Sequence, residues 1–516
     1  MTALSAVALG LSVASVVCAD LRWLRVAQRE HYLPGAALRF AWRWWARIPL
    51  NCALAFAGVA GAASAAVFPG AAIVTAAAVA AGPVGLGLRG RTSRLAWTRR
   101  LALVAGLTAL VEGLAVAFAA SLATLSGAVV AAAVCSVGAP VFIDIALAAL
   151  RPVEDFLAQR YVSRASDLLA RVNPLVVGIT GSYGKTTTKN YVAYLLGGDR
   201  NVVASPRSFN NRAGLTRTVN EQLIAGTEVL IAEMGAYGPG EIAALCAWLR
   251  PEVAVITSIG PSHLERFGTL DRTLAAKAEI TSGARVVVLN VDDPRLEGLA
   301  KRLDPTHKVI RVSGDDGSAD VAVVANGEGL ELRISGRPVG RAIHPPGSPA
   351  PIRTNAACAA AVALELGMAP ETVAGRLATL PGVPNRLQPY RAEGGYLVLD
   401  DTFNSNPAGA RHALEVLGSA APTGRRMVVT PGMVELGQAQ RDENAALAET
   451  AAAMGTDLVV VGTTNRTALV EGWQRADAVP PVKLVRRREQ AVEWAREQLG
   501  PADAVLFEND LPDHFA

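Results

Sequence analysis

The sequence is poor in the residues that build zinc sites and disulfide frameworks. Its five cysteines lie far apart and form no C-x-x-C pair, which argues against a zinc ribbon and a cysteine-stapled scaffold and agrees with a reducing compartment. Charged residues are also scarce, at 18% of 516 residues, and the net charge is only +4. Because no strongly basic surface is expected, we predict no nucleic-acid partner.

Apolar residues are abundant instead, at 51% of the chain, and the mean hydropathy is +0.29. Nearly all of the long apolar runs precede Arg151. Since about 20 apolar residues cross a bilayer, we predict five membrane spans, over residues 4–19, 49–68, 71–88, 101–120 and 123–150. The first run lacks the basic start of a signal peptide, so we interpret it as a membrane helix.

The positions of the arginines predict how these spans are oriented in the membrane. They lie between the first and second spans and between the third and fourth: Arg22, Arg25, Arg29, Arg39, Arg43, Arg47, Arg89, Arg91, Arg94, Arg99 and Arg100. The positive-inside rule then predicts a multi-pass protein of the cell membrane, with the N-terminus outside and everything after Arg151 in the cytoplasm. Glu112 and Asp144 fall inside predicted spans, where each either contacts a lipid head group or ion or is satisfied locally.

A phosphate-binding turn is indicated by GITGSYGKTTTKN, residues 178–190. The β-branched run before it predicts a strand and the run from Lys185 predicts a helix, so backbone N–H groups converge where a helix begins and bind an anion. Lys185 is placed to reach outer phosphates and the Thr186 hydroxyl to bind Mg²⁺. The general pattern G-x-x-x-x-G-K-[ST] would require glycine where this chain has Ile179.

This departure is shared by one family: TGSYGKTTT resembles the T-G-x-x-G-K-T-T loop of the Mur ligases, ATP-dependent amide-forming enzymes of peptidoglycan precursor synthesis. The similarity is greatest to the branch that adds D-alanyl-D-alanine. It implies an ATP-binding loop made of Gly181, Ser182, Tyr183, Gly184, Lys185, Thr186 and Thr187.

Further segments resemble the family in the same order along the chain. NNRAG implies a substrate contact at Asn210 and Asn211, VLIAEMGA a Mg²⁺ ligand at Glu233, and HLERFG a second metal ligand at His263. In AAKAEI, Lys277 stands where the family has a lysine converted by CO₂ to a carbamate. With Thr186, these side chains would hold two Mg²⁺ ions, and the resemblance gives Lys185, Glu233, His263 and Lys277 catalytic roles.

The remaining similar segments supply the other side of the nucleotide site. RTNAACAAA implies adenine recognition by Asn355, and NRLQPY implies Arg386 over the phosphates. LVLDDTFNSNP implies Asp401 at the nucleotide, with Asn404 and Asn406 shaping a loop near the substrate. VVTPGMVELG resembles a further strand and loop.

Two departures from the family concern the chain ends. The predicted spans stand where relatives carry a domain for the uridine nucleotide. The C-terminal ENDLPDHFA replaces a K-G-S-R-like turn, so Glu508, Asp510 and Asp513 either attract an ammonium group or form a solvated tail.

The expected architecture is an α-helical membrane region followed by α/β domains. We predict the membrane region over 1–150, a connector over 151–172, a P-loop central domain with a mostly parallel sheet over 173–384, and a smaller Rossmann-like domain over 385–516. The expected cofactors are ATP, two Mg²⁺ ions and the CO₂-derived carbamate.

The expected activity is that of a membrane-anchored, ADP-forming amide ligase. Its expected partners are the membrane, a small-molecule or lipid-linked envelope precursor, and an amino acid or dipeptide. The alternatives are a polyglutamate-synthase-like ligase, a P-loop ATPase that powers transport or assembly, and an inactive scaffold.

Overall fold

The computed structural model describes residues 2–30, 32–86, 95–206, 209–262, 264–303, 307–327, 329–343, 351–383, 386–403, 405–476 and 482–511. The chain divides into a helical unit, Met1–Leu157, and an α/β unit, Ala158–Asp510. The predicted fold class, a helical region followed by α/β domains with mostly parallel sheets, is confirmed.

Helices α1 to α5 begin in the helical unit: Thr2–Arg29, Ala36–Arg47, Pro49–Ser64, Ala72–Ala81 and Arg99–Val172. Within the described residues, two helices are long and apolar enough to cross a membrane, Ala3–Arg29 and Arg99–Val172, or three if the bent pair Ala36–Ala46 and Pro49–Ser64 forms one span. Non-helical backbone at Ala123 and Thr124 divides α5 into two segments, which correspond to the fourth and fifth predicted spans.

The third predicted span, 71–88, is wrong in extent. Helix α4 has ten residues and ends at Ala81, followed by an extended Gly82 and then Pro83. At 1.5 Å per residue it is about 15 Å long, half the thickness of a hydrocarbon core. Helix α3, with 16 residues, is also shorter than a full span, and the count of five stays a prediction.

Polar side chains in this unit have local partners that the sequence did not reveal. Arg22 lies within α1 and not in a loop, and its guanidinium donates to the carbonyls of Val79 (2.8 Å) and Ala80 (3.2 Å) near the end of α4. The Asp144 carboxylate accepts the backbone N–H of Leu38 at 2.9 Å, in the first turn of α2. Asp144 is therefore satisfied locally, as one of the two alternatives predicted.

Glu112 is 4% exposed, and α5 stays helical beside it until the non-helical backbone at Ala123 and Thr124.

The first half of the α/β unit is built on one sheet. Its described strands have the order β2-β3-β1-β4-β5-β6-β7-β8-β9, parallel as far as β7 and antiparallel beyond it. Strands β1 to β9 are Leu175–Thr180, Val202–Ala204, Val229–Glu233, Val253–Ile256, Val286–Asn290, Lys308–Ser313, Val321–Asn326, Gly329–Ile334 and Arg337–Ile343. Helices α6 to α13 are Lys185–Leu196, Arg212–Gln222, Glu241–Leu249, Leu264–Phe267, Leu270–Ala278, Pro294–Arg302, Arg353–Glu365 and Pro370–Leu377.

Apolar strands explain this architecture. Val229–Glu233, Val253–Ile256 and Val286–Asn290 are buried at every residue, as expected for parallel strands covered by helices on both faces. One face packs on α6 and the alanine-rich α12, and the other on α8, α10 and α11.

The second half has a smaller sheet whose described strands have the order β10-β11-β15-β12-β13-β14, parallel except for β10. Strands β10 to β15 are Gln388–Arg391, Leu397–Asp401, Arg426–Thr430, Asp457–Val461, Lys483–Val485 and Ala504–Glu508. Helices α14 to α17 are Pro407–Ala420, Gln440–Ala453, Arg466–Gln474 and Arg488–Gln498. The sequence predicts four of these strands from their apolar runs, near residues 396–400, 426–430, 457–461 and 504–507, and all four are present, whereas β10 and β14 are not predicted.

Candidate functional site

The phosphate-binding turn connects β1 to α6, and its glycines are required by the backbone. Gly181 has φ +145° and Gly184, at the N-cap of α6, has φ +80°. A Cβ at Gly181 would overlap the Thr257 hydroxyl, and a Cβ at Gly184 would overlap the Asn355 side chain. Ile179 is fully buried within β1, paired in register with Glu233. The position that is glycine in the general pattern is therefore a strand residue here.

Lys185 is the first residue of α6. Its Nζ donates to the carbonyls of Gly181 (2.7 Å) and Ser182 (3.2 Å), so the ammonium is held against its own loop. Burial of Nζ lowers the pKa of Lys185 to about 8, although the Glu233 carboxylate acts in the opposite direction. The position is that expected for a lysine that neutralises phosphate.

Glu233 ends β3, next to the turn, and is 1% exposed. Its Oε2 accepts from Thr186 Oγ1 and from Lys189 Nζ, both at 3.0 Å, and its Oε1 accepts from Asn210 Nδ2 at 3.3 Å. The structure thus brings together Thr186 and Glu233, the two side chains expected to share a metal, and adds Asn210, which was expected only to contact substrate. Lys189 is an additional member that we did not predict.

Lys277 lies in α10 and is 4% exposed. Burial lowers its pKa to about 7, and the charge of Lys185 adds to this effect, while Glu241 and Glu279 oppose it. Both acids accept backbone N–H groups: Glu241 from Tyr237 at 3.0 Å and Glu279 from Gly240 at 2.7 Å. Lys277 is therefore a buried amine whose neutral form is far more accessible near neutral pH than that of an exposed lysine.

A cavity of about 770 Å³ opens over the turn, between the two halves of the α/β unit. Its lining includes Tyr183, Gly184 and Thr187 from the turn and α6. Asn355, in the first turn of α12, also lines it; the residue is 5% exposed, and its Nδ2 has no hydrogen-bond partner within the described residues. A buried amide donor without a partner beside a cavity is suited to a ligand acceptor.

Arg386 and Asp401 line the same cavity from the other side. Burial raises the pKa of Asp401 to about 6 against the opposing charge of Arg386. The Arg386 guanidinium lies 4.6 Å from the centre of the Phe403 ring, and burial lowers its pKa although Asp401 and Glu233 stabilise its charge. A guanidinium held between a ring and a carboxylate is positioned to contact an anion in the cavity.

The other predicted asparagines are loop-shaping residues or lie outside the described residues. Asn211 caps α7 and Asn406 caps α14, each through its Oδ1 to a backbone N–H at 2.9 Å. Asn406 also lines the cavity. His263 and Asn404 lie outside the described residues.

The acids at and after the end of β15 are structural where the structure describes them. Glu508 is fully buried and accepts from the hydroxyls of Ser405 and Thr430, and burial raises its pKa to about 8. Asp510 forms an ion pair with Arg488 at 3.4 Å. Glu508 is therefore not part of a solvated tail, and Asp513 lies outside the described residues.

Our sequence reasoning also missed contacts between the two halves of the α/β unit. Leu264 donates its backbone N–H to the carbonyl of Glu435 at 3.1 Å, and His412 of α14 lines the cavity. Only Lys189 had a signal in the sequence, because it follows Lys185 by four residues and so lies on the same face of a helix.

The donor set beside the turn fits Mg²⁺. Glu233 and Thr186 offer a carboxylate and a hydroxyl oxygen 3.0 Å apart, and hard cations prefer oxygen ligands. The described residues contain no group of three or more His, Cys, Asp or Glu side chains arranged to hold a metal. Phosphate oxygens and water are the usual further ligands of Mg²⁺, and His263, which was also expected as a ligand, lies outside the described residues.

Comparison with known proteins agrees with this geometry. The Mur ligase middle domain matches residues 179–363, and the Mur ligase glutamate ligase domain matches residues 385–508. The UDP-N-acetylmuramoyl-tripeptide--D-alanyl-D-alanine ligase of Mycobacterium tuberculosis strain H37Rv is 35% identical over 365 residues, which cover 64% of this chain and 69% of the relative. The Escherichia coli K12 protein of the same name is 31% identical over 293 residues, covering 55% and 64%.

Solved structures show the same fold. The MurF ligase from Thermotoga maritima in complex with ADP has a TM-score of 0.58 and 25% identity, covering 68% of this chain and 80% of its own. MurF from Acinetobacter baumannii has the same TM-score at 24% identity, covering 68% and 77%. The chain therefore belongs to the Mur ligase family of ATP-dependent, ADP-forming amide ligases.

Proposed function

We propose that this protein is a membrane-anchored ligase that joins the carboxylate of a muramoyl-peptide precursor to the amine of a dipeptide or amino acid. The observation that carries the proposal is the cavity, which Gly184 and Thr187 line on one side and Arg386 and Asp401 on the other. The charges of Lys185 and Glu233, beside the turn, both interact with Arg386. The names of the relatives support D-alanyl-D-alanine as the amine substrate.

The mechanism follows from the chemistry of amide formation. A carboxylate must be activated before an amine displaces its oxygen, and transfer of the γ-phosphoryl group of ATP to the carboxylate gives an acyl phosphate and ADP. The amine then attacks the acyl carbon and forms the C–N bond, the C–O bond to phosphate breaks, and the amine loses a proton. Such transfer depends on positioning and on neutralisation of charge.

Each side chain has a task in this scheme. Lys185 leaves its loop carbonyls to neutralise the outer phosphates, and Arg386 approaches them from the opposite wall. Asn355 offers its Nδ2 to the adenine base, and Glu233 and Thr186 would hold Mg²⁺, which would neutralise phosphate charge. Closure of the two α/β halves, which touch at Leu264 and Glu435, would exclude water from the acyl phosphate.

Lys277 is proposed to react with CO₂. Only a neutral amine attacks CO₂, and burial keeps much of Lys277 neutral near pH 7. The attack forms the N–C bond and the amine nitrogen loses a proton to solvent, so the product carbamate is an anion. It would supply an oxygen ligand or an orienting charge beside the metal.

The helical unit is proposed to hold the enzyme at the membrane with its α/β unit in the cytoplasm. The support is the length and apolar composition of α1 and α5 and apolar side chains on α5 that are more than half exposed, including Leu103, Leu114, Phe118 and Leu122. Such a location would bring the active site to lipid-linked as well as UDP-linked precursors.

One experiment tests the proposal. The full-length protein, purified in detergent, is incubated with ATP, Mg²⁺, D-alanyl-D-alanine and either a UDP-linked or a lipid-linked muramoyl tripeptide, and the products are identified by mass. We expect a product heavier by the dipeptide minus water, with one phosphate released per bond. Phosphate release without acceptor or amine would indicate a transport ATPase instead.

A further inference from the structure

Lys189 is one of the most deeply buried charges in the described part of the chain. It is 1% exposed, as is Glu233, and its Nζ lies 3.0 Å from Glu233 Oε2. A buried ammonium is tolerated where a carboxylate compensates its charge. Lys189 follows Lys185 by one turn of α6, and the two lysines have different partners beside the turn.

The two lysines have different hydrogen-bond partners, which indicates different roles. Lys185 Nζ contacts loop carbonyls, whereas Lys189 Nζ contacts the carboxylate oxygen that also accepts from Thr186. A Mg²⁺ ion bound to Glu233 Oε2 at about 2.1 Å would lie at most about 5 Å from Nζ, since Nζ is 3.0 Å from that oxygen. Two cations this close in a buried site repel each other strongly.

We propose that Lys189 is a positioning residue that neutralises Glu233 before the nucleotide arrives and thereby makes binding of the divalent metal depend on the nucleotide. Without nucleotide phosphates, Lys189 already compensates the charge of the Glu233 carboxylate, so the protein alone offers the metal little net negative charge. The phosphate groups supply the missing charge, and the metal enters with them. This inference rests on the proposed function, because it takes Glu233 as the metal ligand.

The test uses Mn²⁺ in place of Mg²⁺, because its binding is read directly from its electron paramagnetic resonance signal. Full-length protein in detergent is titrated with Mn²⁺ in the absence of nucleotide, as the wild type, as Lys189→Met and as Lys189→Arg. We expect weak binding by the wild type and by Lys189→Arg, and binding at least about tenfold tighter by Lys189→Met, since that variant removes a like charge near the metal.

A matched control is available on α11. Lys301 forms an ion pair with Glu297 at 3.0 Å, but its side chain is 67% exposed. Lys301→Met removes the same charge by the same substitution at the surface, and we expect its Mn²⁺ affinity to equal that of the wild type.

Thermal unfolding distinguishes a positioning role from a merely structural one. The Lys189→Met variant leaves Glu233 buried without its counter-ion, so the unfolding midpoint of the variant should fall in metal-free buffer. Added Mn²⁺ should raise that midpoint by more than it raises the midpoint of the wild type. A structural lysine would lower the midpoint equally with and without metal. If Lys189→Met does not fold, the wild type and Lys189→Arg decide the question, because nucleotide-free Mn²⁺ binding in the micromolar range by either would overturn the inference.

The two proposals fail in different ways. If the wild type binds no Mn²⁺ together with ADP, the nucleotide site of the proposed function is wrong. If it binds Mn²⁺ and ADP together but Lys189→Met has wild-type affinity for Mn²⁺ alone, only the role of Lys189 is wrong.

Discussion

Replacement of Lys277 tests the chemistry of the site most sharply, because burial changes what this amine does. A lysine with the usual pKa of 10.5 is about 0.1% neutral at pH 7.5, whereas burial lowers the pKa of Lys277 to about 7 and makes the neutral amine a substantial fraction there. The population able to attack CO₂ is therefore far larger than on a surface lysine. We expect Lys277→Ala to lose at least about a hundredfold in kcat because the carbamate anion is absent.

The assay combines activity with direct detection of the adduct. Protein incubated with ¹³C-bicarbonate should give a carbamate carbon signal in its NMR spectrum, and the signal should be missing in Lys277→Ala. Acetate or chloride at high concentration should restore part of the activity of the variant, because a small anion can occupy the space left by the carbamate.

Lys308→Ala is the control, since Lys308 is 60% exposed and pairs with Glu365 at 2.6 Å; it should keep the signal and the activity. Full activity of Lys277→Ala without added anion, together with an unchanged ¹³C spectrum, would refute the carbamate.

Three further predictions concern stability and nucleotide binding. Gly184→Ala should lower the unfolding free energy by at least about 1–2 kcal/mol, measured by denaturant titration, because φ is +80° there and the new Cβ would overlap Asn355. Asn355→Ala should raise KM for ATP about three- to tenfold with kcat nearly unchanged, the loss of one hydrogen bond; an unchanged KM in steady-state assays would remove its role at the base. The Glu508 pKa is raised in the folded state to about 8 from 4.5, so the folded protein binds the extra proton and stability should fall between about pH 5 and 8. Glu508→Gln should make the unfolding midpoint less dependent on pH in that window, and an unchanged slope would contradict this.

The phosphate-binding turn and the parallel strands could be predicted because their signals are local. Strands such as Val229–Glu233 are continuous apolar runs, and the turn carries its glycines where the backbone needs them. The antiparallel strands beyond β7 pair with their neighbours along the chain, with Asn326 opposite Gly329 and Ile334 opposite Arg337, but they lie outside the segments from which the fold was predicted. The predicted third span is longer than helix α4 because hydropathy alone does not show that the helix ends before Gly82 and Pro83.

The sequence could predict which residues form the candidate site but not which of their charges are buried together. Glu233 and Thr186 followed from the strand and the turn, but the burial of Lys189 against Glu233 depends on how α6 packs on β3. Likewise, Glu508 belonged to an ambiguous acidic tail in the sequence, and only the fold shows that Ser405 and Thr430 enclose it.

The central claim is that the α/β unit uses ATP to activate a carboxylate for attack by an amine. The most direct measurement is phosphate release from ATP by the full-length protein with acceptor and amine omitted singly and together. The account predicts stoichiometric release only when both are present, with one amide formed per phosphate. Sustained release with neither present, or an amide formed without ADP, would contradict it.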